Sequence, residues 1–265
     1  TRELQDANTE LEISNNELMQ FASVASHDLK EPLRKIHMFS NIIRERYMSE
    51  SPHGALDYMN RIIRSSARMT KLIDDLLTYS RLSINTLFES TDLNCIINEV
   101  LSDLELSITE KGAEVLVDHF PHIEVVPGQM RQVFQNIISN ALKFSRPGTP
   151  PRITITSELI SQPDFDIAAA EKGDYCRISI ADNGIGFDEQ YTAKIFTIFQ
   201  RLHSREKYEG TGIGLAITKK IIEKHNGWIT ARSTSGGGST FVIILPLRQP
   251  GEVLQEESST PLQLN

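Results

Sequence analysis

A histidine followed directly by a carboxylate, His27-Asp28, is the first candidate for chemistry in this sequence, and Pro32 follows five residues after the histidine. An imidazole has a pKa near ~6.5, so a neutral, nucleophilic nitrogen is available at physiological pH. A carboxylate bonded to one ring nitrogen stabilises the positive charge that develops when the other nitrogen attacks. The same pair also occurs as an ordinary exposed histidine on a helix, so its neighbours must decide between the two interpretations.

Amide and ammonium side chains form a second candidate group, in which Asn136, Asn140 and Lys143 recur at i, i+4 and i+7. This spacing places them on one face of a helix. Amide oxygens and an ammonium group suit Mg²⁺ and phosphate. The alternative is a solvated helix face.

Two glycine-containing stretches complete the candidates. Asp182-Asn183-Gly184-Ile185-Gly186 follows a predicted strand, where a carboxylate could accept a hydrogen bond from an adenine amino group while the glycines allow close approach to a flat ring. Gly210-Thr211-Gly212-Ile213-Gly214 opens a predicted helix, whose free N–H groups can hold phosphate oxygens. Each stretch alone is better explained as a tight turn.

The histidine lies within a heptad pattern that begins with Leu4, Leu11 and Leu18 and continues to Ile43, with Asn8 and Asn15 at alternate seam positions. Such a pattern predicts a parallel, two-stranded coiled coil, and the alternative is one amphipathic helix docked on its own domain. In this register His27 lies farthest from the seam and faces solvent. A turn at residues 49–54 and a second apolar stripe up to Leu82 predict a helical hairpin, and two hairpins make a four-helix bundle.

Beyond Arg81 the pattern changes to alternating strands and helices. We predict helices at residues 93–111, 127–145 and 213–225, and strands at residues 114–118, 152–159, 175–181, 228–233 and 240–245. This order implies an α/β sandwich with a mixed sheet on one side and helices on the other. Phe196 and Phe199, which precede a charged stretch, would by themselves be assigned to the core.

The composition excludes several classes of protein. The 265 residues suffice for two domains, and the net charge of −8 argues against a general nucleic-acid binder. Two distant cysteines, Cys95 and Cys176, suit a reducing compartment without disulfides. No apolar run approaches the ~20 residues of a membrane helix, which predicts a cytoplasmic portion, although a membrane anchor upstream stays possible.

In this order the motifs closely resemble the sensor histidine kinases of two-component signalling. The stretch from His27 to Leu33 resembles the phosphoacceptor box, residues 136–144 resemble the N box, and Phe196 to Phe199 the F box. Residues 182–186 and 210–214 are similar to the two glycine boxes. The amino-acid sequence around His27 and at residues 199–206 resembles that of the phytochrome-type branch of these kinases.

The resemblance implies a dimeric four-helix bundle of α-helical hairpins followed by an α/β sandwich of the Bergerat (GHKL) ATPase type. It divides the chain into a coiled-coil signalling helix at residues 1–17, a dimerisation and phosphotransfer hairpin at 18–82 and a hinge at 83–89. An ATP-binding catalytic domain at 90–248 and a disordered tail at 249–265 follow. The implied partners are a second copy of the chain, a response-regulator receiver domain and an upstream sensor domain.

The resemblance also implies a role for each matching residue. His27 would be the phosphoacceptor and Asp28 its base and orienter, with ATP and Mg²⁺ as cofactors. Asn140 would coordinate Mg²⁺. The remaining implied ATP-binding residues are Asn136, Lys143, Asp182, Gly184, Gly186, Arg201, Gly210, Thr211, Gly212, Gly214 and Leu215. Residues 186–210 would form a mobile lid.

One departure from the family concerns Glu31, four residues after the histidine. Members that also dephosphorylate their receiver often carry Thr or Asn there, so we expect weak phosphatase activity. Two other functions stay open: an ATPase of the same nucleotide fold without histidine phosphorylation, and an inactive dimerising scaffold. The intact His27, Asn140, Asp182 and Gly212 count against the scaffold.

Overall fold

The computed structural model describes residues 32–43, 45, 55–82, 87–161, 174–202, 208 and 210–249. His27, Asp28, the predicted coiled coil, the predicted turn at 49–54 and residues 250–265 lie outside these ranges. Within the ranges, no helix is both long enough and apolar enough to cross a membrane.

Two helices come first in the chain: α1 at residues 32–43 and α2 at Ala55–Arg81. Phe39 of α1 is buried, and its ring lies 5.7 Å from that of Tyr58 on α2. Leu72 is also buried, but it belongs to the core of the domain that follows. Other apolar side chains of the two helices are exposed, namely Leu33, Met38, Met59, Ile63, Ile73 and Leu77. Helix α2 therefore has one apolar face on the following domain and another towards solvent.

The predicted helix at residues 93–111 is two helices, α3 (Leu93–Asp103) and α4 (Glu105–Lys111). Asp92 caps α3, since its side chain accepts a hydrogen bond from the backbone N–H of Asn94 at 2.9 Å. The chain bends at Leu104, which packs against the core together with Ile108. Gly112 ends α4 in the left-handed conformation, with φ of +57°.

A two-stranded antiparallel sheet, which the sequence did not predict, joins β1 (Glu89–Asp92) to β3 (His122–Val125). Each strand has four residues, and only Ile123 and Val125 contribute apolar side chains to the core. Strand β1 has no apolar residue, and β3 alternates over only four residues, which is the shortest alternation that indicates a strand.

The main sheet has five strands in the order β2-β4-β5-β7-β6. Strands β2 and β4 are parallel, and the other pairs are antiparallel. The strands are β2 (Glu114–Val117), β4 (Arg152–Ile160), β5 (Tyr175–Asp182), β6 (Trp228–Thr234) and β7 (Gly238–Pro246). The mixed sheet agrees with the predicted fold class.

Helices α3, α5 (Pro127–Lys143) and α6 (Gly214–Lys224) bury their apolar sides in one core with the sheet. Two short 3₁₀ helices, Glu189–Tyr191 and Lys194–Phe196, lie between β5 and α6. Phe196 is buried, and its ring makes an edge contact with that of Phe241 on β7. The core thus fixes the C-terminal end of α5 beside the end of β5 and the start of α6.

Candidate active site

The C-terminal half of α5 carries the amide and ammonium group and meets the second glycine stretch. The Asn136 side-chain amide donates to the carbonyl oxygen of Gly214 at 3.0 Å and to the Thr218 hydroxyl at 3.3 Å. A Cβ atom added to Gly210 would lie 3.0 Å from the Lys143 ammonium nitrogen. Asn136 therefore holds the first turn of α6, while Lys143 reaches the backbone of the glycine stretch.

Asp182, the last residue of β5, is oriented by two backbone donors. Its Oδ1 accepts from the N–H of Gly184 at 2.7 Å and from that of Ser239 at 3.3 Å. Burial raises the pKa of this carboxyl, and the two N–H groups and the charge of Arg146 oppose that rise. Among the described residues, none donates to its Oδ2. The backbone therefore fixes the orientation of this carboxylate through one of its two oxygens.

The two glycines of this loop are required by the protein's own backbone. A Cβ at Gly184 would lie 2.6 Å from the carbonyl oxygen of Phe144, at the end of α5. Gly186 has φ of +61°, and its Cβ would collide with the carbonyl oxygen of Thr234. From the sequence, we predicted that these glycines allow the flat adenine ring to approach the backbone closely. The structure supplies close backbone packing as a reason of its own.

Arg201 connects the segment before the second glycine stretch to the stretch itself. Its two terminal nitrogens donate to the carbonyl oxygens of Gly210, at 2.8 Å, and Tyr208, at 2.6 Å. A Cβ at Gly212 would lie 3.1 Å from Cγ of the same arginine. In this structure Arg201, which the resemblance implied as an ATP-binding residue, therefore holds the backbone at and just before the second glycine stretch.

Helix α2 reaches the second glycine stretch, a contact that the sequence did not predict. The Thr211 hydroxyl donates to Oδ2 of Asp75 at 2.6 Å. Burial raises the pKa of the Asp75 carboxyl, and the hydrogen bond from Thr211 opposes that rise. At the C-terminal end of α6, the Lys224 ammonium donates to the carbonyl oxygen of Leu82 at 2.7 Å. The only sequence signal for Asp75 is an acid within the apolar run at residues 72–77.

Three of the four predicted groups therefore meet around the C-terminal end of α5. Asn140 and Leu215 are half-buried, and Leu215 packs against the core. Mg²⁺ is usually bound through one or two carboxylates together with phosphate oxygens, and Asn140 offers a neutral amide oxygen in place of a carboxylate. Whether His27 and Asp28 approach this site is outside the described residues.

Two protein-family models match this chain, one in its N-terminal part and one in its C-terminal part. A family model described as "His Kinase A (phospho-acceptor) domain" matches residues 17–83. A second, described as "Histidine kinase-, DNA gyrase B-, and HSP90-like ATPase", matches residues 125–249. The chain belongs to the histidine kinase family, as the order of its motifs predicted.

Cyanobacterial phytochrome A of Nostoc sp. is 39% identical over 239 residues, which are 90% of this chain and 30% of that protein. Cyanobacterial phytochrome B of the same organism is 40% identical over 92% of this chain and 31% of its own length. These similarities agree with the predicted phytochrome-type branch. The chain spans about a third of the length of these curated relatives.

Among solved structures, histidine kinase ThkA in complex with the response regulator protein TrrA superposes with a TM-score of 0.63. The alignment covers 86% of this chain and 61% of that chain, at 24% sequence identity. At this level of identity the likeness concerns the fold, which agrees with the predicted helical hairpin followed by an α/β sandwich.

Proposed function

We propose that this chain transfers the γ-phosphoryl group of ATP to His27 and then to an aspartate of a separate receiver protein. The observation that carries the proposal is the union, in one chain, of a phosphoacceptor domain and an ATPase domain whose candidate nucleotide residues converge. An imidazole nitrogen of His27 forms the new N–P bond, the bond from phosphorus to the bridging oxygen breaks, and ADP leaves. Asp28 accepts the imidazole proton.

The ATP-binding domain supplies position and charge more than covalent chemistry, as phosphoryl transfer requires. We propose that Asp182 accepts a hydrogen bond from the adenine amino group through Oδ2. Lys143 and the N–H groups at the start of α6 would bind phosphate oxygens. Mg²⁺, held by Asn140 when bound, would neutralise charge on the phosphates. The chain's own contribution is to hold these groups in fixed relative positions.

The exposed apolar face of α1 and α2 supports a proposed homodimer. Leu33, Ile63 and Leu77 are 52%, 57% and 48% exposed on these helices. Apolar side chains repeated along two neighbouring helices are the usual interface of a four-helix bundle. The second hairpin of the bundle would come from a second copy of the chain.

Autophosphorylation is tested with γ-labelled ATP and Mg²⁺. We expect acid-labile, base-stable label on the protein, and no label on His27→Gln, whose amide cannot form a stable phosphoryl adduct. Release of free phosphate without protein label would instead identify an ATPase and would overturn the proposal. Circular dichroism of His27→Gln provides the control for folding.

Transfer between subunits is tested by mixing His27→Gln chains with Asn140→Ala chains. Label on the Asn140→Ala chain would show transfer between subunits, since that chain keeps the acceptor but lacks the proposed Mg²⁺ ligand. Absence of label from proven heterodimers would indicate transfer within one subunit.

Weak phosphatase activity is the third part of the proposal, and it rests on Glu31. A carboxylate at this position replaces the hydroxyl or amide that would position a water molecule in bifunctional relatives. We expect a phosphorylated receiver to lose phosphate at nearly the same rate with and without this protein. Rapid dephosphorylation that persists in His27→Gln would contradict this expectation.

A further inference from the structure

Hydrogen bonds join the loop that follows α5 to the loop that follows β5. The backbone N–H of Ile185 donates to the carbonyl oxygen of Phe144 at 2.9 Å. The Nε of Arg146 donates to the carbonyl oxygen of Gly184, also at 2.9 Å. A side chain just past the N box is therefore built into the first glycine loop.

The backbone of Gly184 links Arg146 to the Asp182 carboxylate. The N–H of Gly184 donates to Oδ1 of Asp182 at 2.7 Å, while its carbonyl oxygen accepts from Arg146. Gly184 also packs closely on the end of α5, because a Cβ atom at this position would lie 2.6 Å from the Phe144 carbonyl oxygen. Arg146 thus sets the position of the turn that orients the carboxylate.

The charge of Arg146 also acts on Asp182. Burial favours the protonated carboxyl, and Arg146 favours the ionised form, with help from the N–H groups of Gly184 and Ser239. The neighbouring strands place Ile153 and Ser239 opposite Asp182, and neither residue titrates. The two backbone N–H groups give the larger support to the ionised carboxylate, and Arg146 adds a positive charge to it.

We infer that Arg146 is a positioning residue for adenine recognition, which holds the turn from Asp182 to Gly184 and thereby holds the Asp182 carboxylate in place as a hydrogen-bond acceptor. The inference rests on the proposed function, because it takes the adenine amino group as the ligand of Asp182. A purely structural role for Arg146 would weaken nucleotide binding equally at every pH. A role through Asp182 makes the loss depend on pH.

The experiment measures ATP affinity by titration calorimetry between pH 5 and pH 8.5 for the whole chain and for Arg146→Gln. The ratio of the variant's Kd to the wild-type Kd removes the titration of ATP itself. We expect this ratio to be smallest at high pH and to rise as pH falls, because the variant's carboxyl, without the charge of Arg146, protonates at a higher pH than the wild-type carboxyl does. A ratio that is constant across this range would overturn the inference.

Three further variants make the result specific to Arg146. Arg146→Lys keeps the positive charge, so its pH profile should follow the wild type, and a displacement as large as that of Arg146→Gln would overturn the inference. Arg152→Gln removes a nearby arginine that pairs with Glu114, and its profile should be unchanged. Adding Arg146→Gln to Asp182→Asn should cause little further loss of affinity, since the charge that Arg146 supports is already absent.

The same set separates failure of this inference from failure of the proposed adenine contact. If Asp182→Asn binds ATP as tightly as the wild type, the adenine contact itself fails. If Asp182→Asn loses affinity while Arg146→Gln follows the wild-type profile at every pH, the contact stands and the role of Arg146 fails. Circular dichroism of each variant at both ends of the pH range checks that the fold persists.

Discussion

At the scale of single residues, Asp182 combines a proposed role in binding with a cost to stability. Its pKa is raised by burial, so the folded state binds a proton more readily than the unfolded state does. The associated stabilisation is fully present below the unfolded pKa and is lost as pH rises through the folded pKa. At neutral pH the ionised carboxylate therefore makes the fold less stable than a neutral isostere would.

Asp182→Asn should consequently separate binding from stability. An asparagine Oδ1 can still accept from Gly184 and Ser239, so we expect a melting temperature at pH 7 equal to or above that of the wild type. Loss of a hydrogen bond to a charged group costs about 1.5–3 kcal/mol, so ATP affinity should fall by roughly 10- to 150-fold. Calorimetry and thermal unfolding on one preparation test both parts, and a lowered melting temperature would contradict the first.

Gly186 and Gly148 offer a matched pair for the effect of backbone packing. Both have positive φ, of +61° and +73°, but a Cβ at Gly148 would have no neighbour within 4 Å. Gly148→Ala should cost roughly 1–2 kcal/mol of unfolding free energy from backbone strain alone. Gly186→Ala adds a collision with the Thr234 carbonyl oxygen and should cost clearly more. Denaturant unfolding of both variants tests this prediction, and equal losses of unfolding free energy would contradict it.

At the scale of elements, His225 fastens the end of α6 to the start of α5. It is fully buried, its Nε2 accepts from the N–H of Val126 at 3.0 Å, and its Nδ1 lies 2.7 Å from the Ile221 carbonyl oxygen. These partners require the neutral imidazole with the proton on Nδ1.

The pH dependence of stability should report on this histidine. Burial lowers the pKa of His225 in the folded state. The stability it contributes is therefore present above the unfolded pKa of about 6.5 and is lost as pH falls towards the folded pKa, by up to about 1.4 kcal/mol per pH unit. His225→Gln should reduce this slope. The single tryptophan, Trp228 on β6, follows the unfolding of this domain, and an unchanged slope in the variant would count against the assignment.

At the scale of the whole molecule, the ATP-binding domain rests on α2 through a buried polar contact as well as through apolar packing. Leu72 contributes to the shared core, Lys220 lies over the Tyr79 ring at 4.2 Å, and Thr211 donates to Asp75. The glycine stretch proposed to bind phosphate is thereby held by the helical hairpin. Its position and the position of the hairpin are physically coupled.

A double-mutant cycle measures that coupling. Thr211→Val removes a donor from a half-buried carboxylate and should cost about 1–3 kcal/mol of unfolding free energy, monitored by Trp228 fluorescence. Asp75→Ala removes the carboxylate that needs the donor. The double variant should therefore lose clearly less than the sum of the two single losses. Strictly additive losses would show that the hydrogen bond contributes nothing to docking.

Sequence alone determined the class of fold, because hydrophobic periodicity and turn-forming glycines are local signals. The resemblance of the ordered motifs indicated the family and the candidate site residues. The sheet order and the break at Leu104 needed the tertiary structure, because they depend on which segments share one core. The same holds for Arg146 and Asp75, whose importance arises from contacts with Gly184, 38 residues away, and Thr211, 136 residues away. No local pattern encodes such pairings, since they form only when the loop after α5, the end of β5 and the start of α6 are packed together.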